Sequence, residues 1–436
     1  MELIERILEA GNLTQACREV VKNKGASGVD KMTVKELKQY LDDHRQELVS
    51  IIHNGTYQPQ PIRGKHIPKG KGKSRLLGIP TVVDRMLQQA VLRVIMPQYE
   101  YMFSDYSYGF RPRRNTHQAI AKSLSYINSG YQHIVEIDLK RFFDEVDHVL
   151  LLQLLYRKIK CKTTMRLIRR WLKVPIEIDG KLVKRRKGVP QGSPISPLLS
   201  NIILHELDNE MGKLGLRFVR YADDFSIYCK TKIEARKAGN TVYLFLKNKL
   251  RLPINREKSG IRRPVNFQIL GYGFVPTYRK GEKGKYQLIV MKQRWQKFKA
   301  RLKEITRKTN PMSFDERIKK LNEVQRGWIN YFKYASIYQK LVDLDGWLRN
   351  RLRYCIWHHW KKTEMKRRSL IRLGVDHDIA YAWSRTRMGG WAVAQSPILG
   401  TTITIHRLKQ RGYIPLIELY LSYSSVPFKN SLFPKI

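Results

Sequence analysis

The spacing of hydrophobic and polar residues changes several times along this chain, and each change predicts a different element. Over residues 61–80, basic residues alternate with Gly and Pro around short apolar pieces, which predicts a hairpin with its tip between Lys69 and Ser74. The next stretch, TVVDRMLQQAVLRVIMPQYE, repeats apolar residues at helical spacing and predicts a helix. Residues 1–60 predict a helix, a loop and a helix, with Thr33 capping VKELKQYL and Glu36 completing a capping box.

Strands and helices alternate irregularly between residues 133 and 290. HIVEIDL predicts a strand, VPIEIDGKLVKR a hairpin that turns at Asp179-Gly180, and RFVR with FSIYC a pair of strands. SPLLSNIILHELDNEM predicts a helix that Ser196 caps, with Pro197 at its first position. Because there is neither a regular βαβ repeat nor a G-x-G-x-x-G, we expect an α+β fold with helices on one face of a sheet.

Long basic stretches with helical periodicity follow residue 291. Their clearest apolar stripe consists of Leu321, Val324, Trp328, Tyr331, Phe332 and Ala335. We expect this face to be core and the opposite face to carry the positive charge. From about residue 375, SRTRMGGWAVAQ and RLKQRGY are again basic and contain interleaved aromatic residues.

Charge narrows the range of functions further. The 436 residues contain 83 Lys and Arg against 37 Asp and Glu, a formal net charge of +46. A chain this basic calls for a polyanionic partner, and nucleic acid is favoured over an anionic membrane surface. No run of 18 apolar residues and no signal-peptide pattern is present, so we expect an internal, soluble protein. The four cysteines are isolated from one another, which indicates neither a zinc ribbon nor a disulfide framework.

Two adjacent aspartates in the apolar stretch RYADDF are candidates for catalytic residues. Asp223 and Asp224 lie between two predicted strands, and Asp138 ends the strand HIVEIDL, far away along the chain. These acids can meet only if the strands pair in one sheet. Converging carboxylates repel one another unless cations intervene, and hard oxygen ligands suit Mg²⁺. Two such ions, roughly 3.5–4 Å apart, would serve an in-line displacement at phosphorus. The alternative is an ordinary turn with solvated charges.

An ordered set of motifs resembles the reverse transcriptases: IPKGKGKSRLLGIPTVVDRMLQQAV, SYGFRPRRNTHQAI, VEIDLKRFFDEVDH, KGVPQGSPISPLLSNIILHELD, RYADDF, LPINREKSG and FQILGYGF. NKGASGVD, GWINYFKYA and MGGWAVAQSPI narrow the resemblance to bacterial group II intron-encoded reverse transcriptase/maturases. It implies a right-hand polymerase, with fingers and an antiparallel palm sheet, then a helical thumb and a small basic C-terminal domain. The implied regions are an N-terminal extension with the start of the fingers (1–62), the fingers and palm (63–290), the thumb or maturase X domain (291–374) and a nucleic-acid-binding region (375–436).

The same resemblance implies roles for individual residues. Asp138, Asp223 and Asp224 would be the catalytic metal ligands, helped by the Leu139 carbonyl, with two Mg²⁺ ions and Mn²⁺ as a substitute. The remaining residues at the incoming deoxynucleoside triphosphate would be Lys69, Arg75, Leu139, Phe143, Gln191 and Lys258. Lys69 and Arg75 would grip the triphosphate, and Phe143 would exclude a 2′-hydroxyl. Gln191 would contact the nucleotide and position the template, and Lys258 would add phosphate or strand contacts.

Nucleic-acid contacts are expected from a further set of cations: Lys24, Arg63, Arg111, Arg385 and Arg387. The implied partners are group II intron RNA, an RNA template with a DNA primer, target DNA and deoxynucleotides, in the bacterial cytoplasm or nucleoid and without a membrane. Many relatives carry a second glycine after PQG, where this chain has Ser193, which requires a negative φ there. The chain has no paired cysteines after Cys355, so we expect the zinc-bearing endonuclease domain of some relatives to be absent.

The expected function is RNA-directed DNA synthesis on intron RNA, together with maturase activity that promotes splicing and retrohoming. Two alternatives stay open at this point. One is an RNA-binding splicing factor without polymerase activity, against which the intact acids and Lys69, Arg75 and Gln191 argue. The other is a defence or retron-type reverse transcriptase that uses another RNA template, against which the GWINYF segment and the N-terminal extension argue.

Overall fold

The computed structural model describes residues 2–70, 72–278 and 281–424, without the side chains of residues 69, 70, 73 and 424. Internal contacts divide the chain into two compact units, the first ending at Arg263 and the second beginning at Pro264. The domain limits expected at residues 62, 290 and 374 remain predictions.

The first unit mixes helices and strands. Its helices are α1 (Leu3–Leu8), α2 (Ala10–Lys22), α3 (Leu37–His53), α4 (Val82–Glu100), α5 (Thr116–Asn128), α6 (Phe142–Glu145), α7 (His148–Tyr156), α8 (Lys162–Lys173), α9 (Ser196–Lys213) and α10 (Lys232–Asn248). Its strands are β1 (Ile62–Gly70), β2 (Lys73–Ile79), β3 (His133–Ile137), β4 (Ile176–Ile178), β5 (Lys181–Val183), β6 (Arg217–Tyr221), β7 (Asp224–Cys229) and β8 (Gly260–Arg262). One hydrophobic core joins them, from Leu13 in α2 through Met86 in α4 to Leu204 in α9 and Ile227 in β7.

The predicted basic hairpin is confirmed as β1 and β2, which pair antiparallel from Arg63 opposite Ile79 to Gly70 opposite Lys73. The β4–β5 hairpin extends this sheet, because β4 runs parallel to β1. Its turn is also as predicted, since Asp179 and Gly180 both adopt positive φ, at 49° and 77°.

A second sheet has the order β6-β7-β3-β8, and each neighbouring pair is antiparallel. The α10 helix packs on β3 and β7, while α5 and α9 contact β6. Burial alternates poorly along β7, where every residue from Phe225 to Cys229 is buried, as expected for a central strand covered by other elements. The predicted α+β class with an antiparallel sheet is confirmed.

Two predicted helix starts are wrong by a few residues. The α3 helix begins at Leu37, and the Glu36 carboxylate accepts hydrogen bonds from the Thr33 amide and hydroxyl, so Thr33 begins the turn that precedes α3 instead of capping the helix. The α9 helix already includes Ser196, whose hydroxyl donates to the Pro190 carbonyl at 2.7 Å. In both cases a nearby turn competes for the polar side chain that the helix end would otherwise use.

The second unit begins with a small antiparallel sheet of β9 (Gln268–Ile269), β10 (Tyr272–Pro276) and β11 (Tyr286–Val290). Its helices are α11 (Lys292–Ile305), α12 (Phe314–Phe332), α13 (Tyr338–His359), α14 (Thr363–Arg372), α15 (His377–Ser384), α16 (Gly390–Gln395), α17 (Pro397–Thr402), α18 (Ile405–Gln410) and α19 (Leu416–Ser424). The predicted apolar stripe is buried in part: Leu321 and Phe332 are buried, and the Phe298 ring of α11 stacks on Trp328 at 4.2 Å. Val324, Trp328 and Tyr331 are only half-buried, and Ala335 lies beyond the end of α12.

None of the helices in the described ranges combines the length and the hydropathy that crossing a bilayer requires. The four cysteines, Cys17, Cys161, Cys229 and Cys355, are free thiols, in agreement with their isolated positions in the sequence.

Candidate active site

Strand pairing brings the three predicted aspartates together at one end of β3 and β7, the two central strands of the β6-β7-β3-β8 sheet. This end of the strands is the acidic edge. Ile137 at the end of β3 is opposite Phe225 in β7, so the next residue, Asp138, lies beside Asp224. Across the β6–β7 hairpin, Tyr221 pairs with Asp224, which leaves Ala222 and Asp223 as the two turn residues. Acids 85 positions apart in sequence therefore share one edge through the antiparallel register alone.

Asp138 is held by the segment that precedes β8. Its amide donates to the Ser259 hydroxyl at 3.0 Å, and its carbonyl accepts from the Asn255 amide at 2.8 Å. The Asn255 side chain donates to Asp138 Oδ2 at 3.0 Å, and Lys258 Nζ lies 3.6 Å from the same oxygen. The predicted Lys258 thus lies against a predicted metal ligand. Asn255 and Ser259, which sequence reasoning passed over, come from the same LPINREKSG motif.

The electrostatics of this edge are those of crowded carboxylates. Asp224 keeps an exposed surface, but the surrounding protein displaces part of its hydration, and this loss, followed by the charges of Asp223, Asp138 and Glu136, raises its pKa to about 6. Lys258 acts in the opposite direction on the pKa of Asp224. A cation at this edge would relieve the remaining repulsion.

The donors at the edge fit a hard divalent cation. Three carboxylates supply oxygen donors here, and no thiolate or imidazole competes with them among the residues just described. Within the described part of the chain, no three acidic, His or Cys side chains already stand in a complete metal-binding arrangement. Such an open set suits Mg²⁺, which keeps several waters and takes substrate phosphates as further ligands.

The structure also brings together two predicted nucleotide contacts. Arg75 in β2 donates through Nε to the Gln191 side-chain oxygen, and the Gly78 amide donates to the Gln191 carbonyl at 2.7 Å. The loop that contains Gln191 lies so close to β2 that a Cβ on Gly192 would overlap the Gly78 carbonyl. Gly192 itself takes a φ of 121°. Ser193 is not among the residues with positive φ, so it meets the requirement for a negative φ that follows from having a side chain where relatives have glycine.

Phe143 lies against the same loop. Its carbonyl accepts from the Val189 amide at 2.7 Å, and its ring is 8% exposed on α6. Phe143 and Gln191 both line a cavity of about 180 Å³, together with Leu76 and Gly78 of β2. His148, another residue that sequence reasoning missed, fixes this arrangement because its Nε2 is 2.7 Å from the Gly188 carbonyl.

The other predicted contacts are spread over the chain. Lys69 belongs to β1, but its side chain lies outside the described residues. Lys24 is exposed with a φ of 49°, and Arg63 is half-buried. In the second unit, Arg385 and Arg387 are exposed, and the Arg385 guanidinium lies 3.6 Å from the Tyr381 ring.

Arg111 differs from the expectation. It is only 7% exposed, and its guanidinium is bonded to the Glu100 carboxylate and to the carbonyls of Ser104 and Ser107. A buried guanidinium with these partners stabilises the loop to which Arg111 itself belongs. The structure therefore gives Arg111 a structural role in place of the predicted nucleic-acid contact.

Comparison with known proteins gives two family matches in succession. Residues 67–274 match the family described as reverse transcriptase (RNA-dependent DNA polymerase), and residues 295–374 match the group II intron, maturase-specific domain. The first match covers the hairpin from Ile67 onward, Phe143, Gln191 and all three aspartates. The second covers most of α11 to α14.

The chain is also similar to individual known proteins. The chain is 31% identical over 327 residues to the group II intron-encoded protein LtrA of Lactococcus lactis, covering 59% of this chain and 54% of LtrA. It is 33% identical over 299 residues to the protein YkfC of Escherichia coli, covering 59% of this chain and 78% of YkfC. A solved structure, a partial Cas6-RT-Cas1–Cas2 complex, is 28% identical over 57% of this chain and 41% of that chain, with a TM-score of 0.38.

The chain spans about half the length of LtrA, and over three-quarters of YkfC. The two family matches follow one another in the order found in the sequence motifs, and the fold beneath them is an α+β unit with an antiparallel sheet followed by a helical unit. This chain belongs to the family of group II intron-encoded reverse transcriptases with a maturase-specific domain.

Proposed function

We propose that this chain is an RNA-directed DNA polymerase that copies group II intron RNA into cDNA, and a maturase that binds the intron RNA and promotes its splicing and retrohoming. The observation that carries the proposal is the antiparallel pairing of β3 with β7, which aligns Asp138 with Asp224 beside the Asp223 turn. In this reading, residues 1–62 are an N-terminal extension with the start of the fingers, 63–290 the fingers and palm, 291–374 the thumb, and 375–436 a further nucleic-acid-binding region.

The residues at the acidic edge would hold two Mg²⁺ ions, with Mn²⁺ as a substitute, through Asp138, Asp223, Asp224 and the Leu139 carbonyl. When bound, the ions would activate the primer 3′-hydroxyl and stabilise the pyrophosphate that leaves as the new phosphodiester bond forms. Asn255 and Lys258 orient the Asp138 carboxylate and balance part of its charge. The protein thus keeps its ligand oxygens in place before the substrate arrives.

The fingers and the adjacent loop would receive the deoxynucleotide. Arg75, together with Lys69, would bind the triphosphate, because a guanidinium offers a fork of donors to phosphate oxygens. Gln191, already bonded to Arg75, would contact the nucleotide and keep the template strand in register. Phe143, on the wall of the shared cavity, would exclude a 2′-hydroxyl.

Nucleic-acid partners account for the net charge of +46. We infer that intron RNA, an RNA template with its DNA primer, and target DNA bind through phosphates to basic surfaces that include Lys24, Arg63, Lys258, Arg385 and Arg387. These partners put the protein in the bacterial cytoplasm, at the nucleoid.

Primer extension on RNA and DNA templates in Mg²⁺ tests the proposal, beside the Asp223→Ala/Asp224→Ala variant. We expect the wild-type chain to synthesise cDNA, and the double variant to lose synthesis while it binds intron RNA with nearly unchanged affinity. Synthesis by the variant would reject the metal assignment. Absence of synthesis in the wild type, with RNA binding intact, would leave a splicing factor without polymerase activity.

A further inference from the structure

A buried arginine lies directly behind the acidic turn. Arg220, in β6, has no exposed surface, and neither has the side chain of its partner Asp208 in α9. Nε and Nη2 of Arg220 donate to the two Asp208 oxygens at 2.8 and 2.5 Å. This bidentate pair fixes the plane of the guanidinium and leaves Nη1 for other acceptors.

Nη1 of Arg220 connects the pair to the turn itself. It donates to the Ala222 carbonyl at 3.0 Å and to the Asn201 side-chain oxygen at 2.9 Å. The Ala222 carbonyl belongs to the peptide that joins Ala222 to Asp223, so this bond sets the orientation of the backbone that carries the Asp223 carboxylate. Asn201, also without exposed surface, extends from α9 and donates in turn to the Gly109 carbonyl at 2.9 Å.

The turn needs such support because its backbone is strained. Ala222 has a φ of 58°, in the left-handed region, which is unfavourable for any residue that has a Cβ. Strain of this kind persists only where the surroundings hold it. Gly109 supplies a second support: a Cβ at this position would overlap the Ala222 amide, so only glycine lets the 107–110 segment press on the turn.

Two other segments therefore pack against Arg220: the 106–109 segment bonds to its backbone, and α9 bonds to its guanidinium. The 106–109 segment runs beside β6, with the Arg220 amide donating to the Tyr106 carbonyl at 2.8 Å and the Tyr108 amide donating to the Arg220 carbonyl at 2.9 Å. The α9 helix contributes Asp208 and Asn201, one on each side of the guanidinium fork. The turn contributes the Ala222 carbonyl, which is the acceptor closest to the chemistry.

We propose that Arg220 is a positioning residue of the polymerase site: through Nη1 it locks the Ala222–Asp223 peptide and so keeps the Asp223 carboxylate aimed at the metal ions. The inference rests on the proposed function. A merely structural salt bridge would need only the two bonds to Asp208, whereas the bond to Ala222 serves the turn. Arg220 has no exposed surface with which to touch a substrate or an ion, so its influence passes through the backbone.

The test replaces the buried pair by apolar residues of similar size, Arg220→Met with Asp208→Leu. Removing both charges together avoids an unpaired buried ion, which is why such replacements often preserve the folded state. We expect a folded protein of lower thermal stability than the wild type, because the Asn201 oxygen and the Ala222 carbonyl lose their donor. The kcat for deoxynucleotide addition should fall by roughly 100-fold, and the KM for deoxynucleotide should stay close to that of the wild type. Loss of the Arg220 bond behind the Asp223 turn should also raise the half-saturating Mg²⁺ concentration by about tenfold or more.

Arg220→Lys gives a second variant should the double variant fail to fold. Lys keeps a positive charge against Asp208 but cannot reproduce the planar fork, so it should fold and show the same loss of kcat and Mg²⁺ affinity. Binding of Mn²⁺, followed by the loss of the electron paramagnetic resonance signal of the free ion, gives a readout that is independent of turnover. We expect it to weaken in parallel with the Mg²⁺ requirement.

The matched control is Arg317→Met in α12. Arg317 is 4% exposed, and its donors also end on backbone carbonyls, those of Ile305, Arg307 and Asn310. This control should lower thermal stability and leave the half-saturating Mg²⁺ concentration unchanged. A folded Arg220 variant with wild-type kcat and wild-type Mn²⁺ affinity would overturn the positioning role. If the wild-type chain itself extended no primer, the proposed polymerase function would fail instead.

Discussion

Asp223 and Asp224 are neighbours in sequence, but the backbone gives each a different environment. Asp223 occupies the turn, where its orientation depends on the peptide that follows Ala222. Asp224 begins β7 and lies among carboxylates, so the loss of hydration and then the neighbouring charges raise its pKa to about 6. Both acids therefore belong to one cluster of charges, and the backbone at Asp223 is in addition tied to Arg220 through the Ala222 carbonyl.

Phe143 offers a prediction about sugar selection. Phe143→Val opens the wall of the cavity that Phe143 shares with Gln191, so a ribose 2′-hydroxyl should be accommodated. The preference for deoxyribonucleotides over ribonucleotides, measured as the ratio of kcat/KM values, should fall by roughly 10–100-fold, the usual reach of steric discrimination in a pocket.

Phe142→Leu is the control for this prediction. The Phe142 ring contacts that of Phe143 edge to face and is also buried, but Phe142 is not among the residues around the cavity. The control should lose stability and keep its sugar preference. An unchanged preference in Phe143→Val would remove Phe143 from the gate.

Arg75 and Gln191 belong to different elements, the β1–β2 hairpin and the loop before α9, and their hydrogen bond makes a prediction at the scale of elements. Arg75→Lys keeps the charge but loses the fork, so KM for deoxynucleotide should rise while kcat changes less. If the two side chains act as a unit, the effects of Arg75→Lys and Gln191→Ala should not add. A double-mutant cycle on kcat/KM should then give a coupling of roughly 0.5–3 kcal/mol. Strict additivity would mean that the two residues act independently.

Asp345 ties the last described helix to α13. This buried carboxylate accepts from the Tyr413 hydroxyl at 2.7 Å and from the amides of Leu416 and Ile417 at 3.0 and 3.3 Å, at the start of α19. Asp345→Ala strands these donors in the interior, so the free energy of unfolding should fall by roughly 1–3 kcal/mol. Urea unfolding measures the loss, and faster amide exchange over residues 416–424 locates it.

Asp343→Ala, on the same helix, is the matched control for Asp345. Asp343 is exposed and accepts only a long hydrogen bond from Gln339, at 3.5 Å. Its removal should change the free energy of unfolding by less than about 0.5 kcal/mol. Equal effects of the two variants would contradict the anchoring role of Asp345.

The net charge of +46 makes a prediction at the scale of the whole molecule. Binding to RNA template–primer should release many counterions, so affinity should fall by roughly a thousandfold or more between about 50 and about 200 mM salt. Filter binding or anisotropy across this range measures the slope. The KM for deoxynucleotide, a small ligand with few phosphates, should change far less. A flat affinity for RNA would rule out phosphate contacts as its main source.

Local sequence patterns determined much of this molecule. The alternation of residues 61–80 predicted β1 and β2, Asp179-Gly180 predicted the β4–β5 turn, and helical spacing predicted α4 and the partly buried stripe of α12. These features depend on neighbours within a few residues, so their information is contained in a short stretch of chain. The ordered motifs also selected the correct family, which the two family matches confirm.

Tertiary structure decided how the distant pieces meet. Sequence required that Asp138 and the Asp223–Asp224 pair share a sheet, but only the register of β3 on β7 aligned Asp138 with Asp224. The sequence predicted Arg111 as a nucleic-acid contact and assigned nothing to Arg220, and burial makes both of them internal supports. It passed over Asn255, His148 and Asn201 as well, because a polar side chain gains its partner only through folding. Interactions between near neighbours in sequence determine the helices and strands. The position of each carboxylate depends instead on contacts between residues that are far apart in sequence.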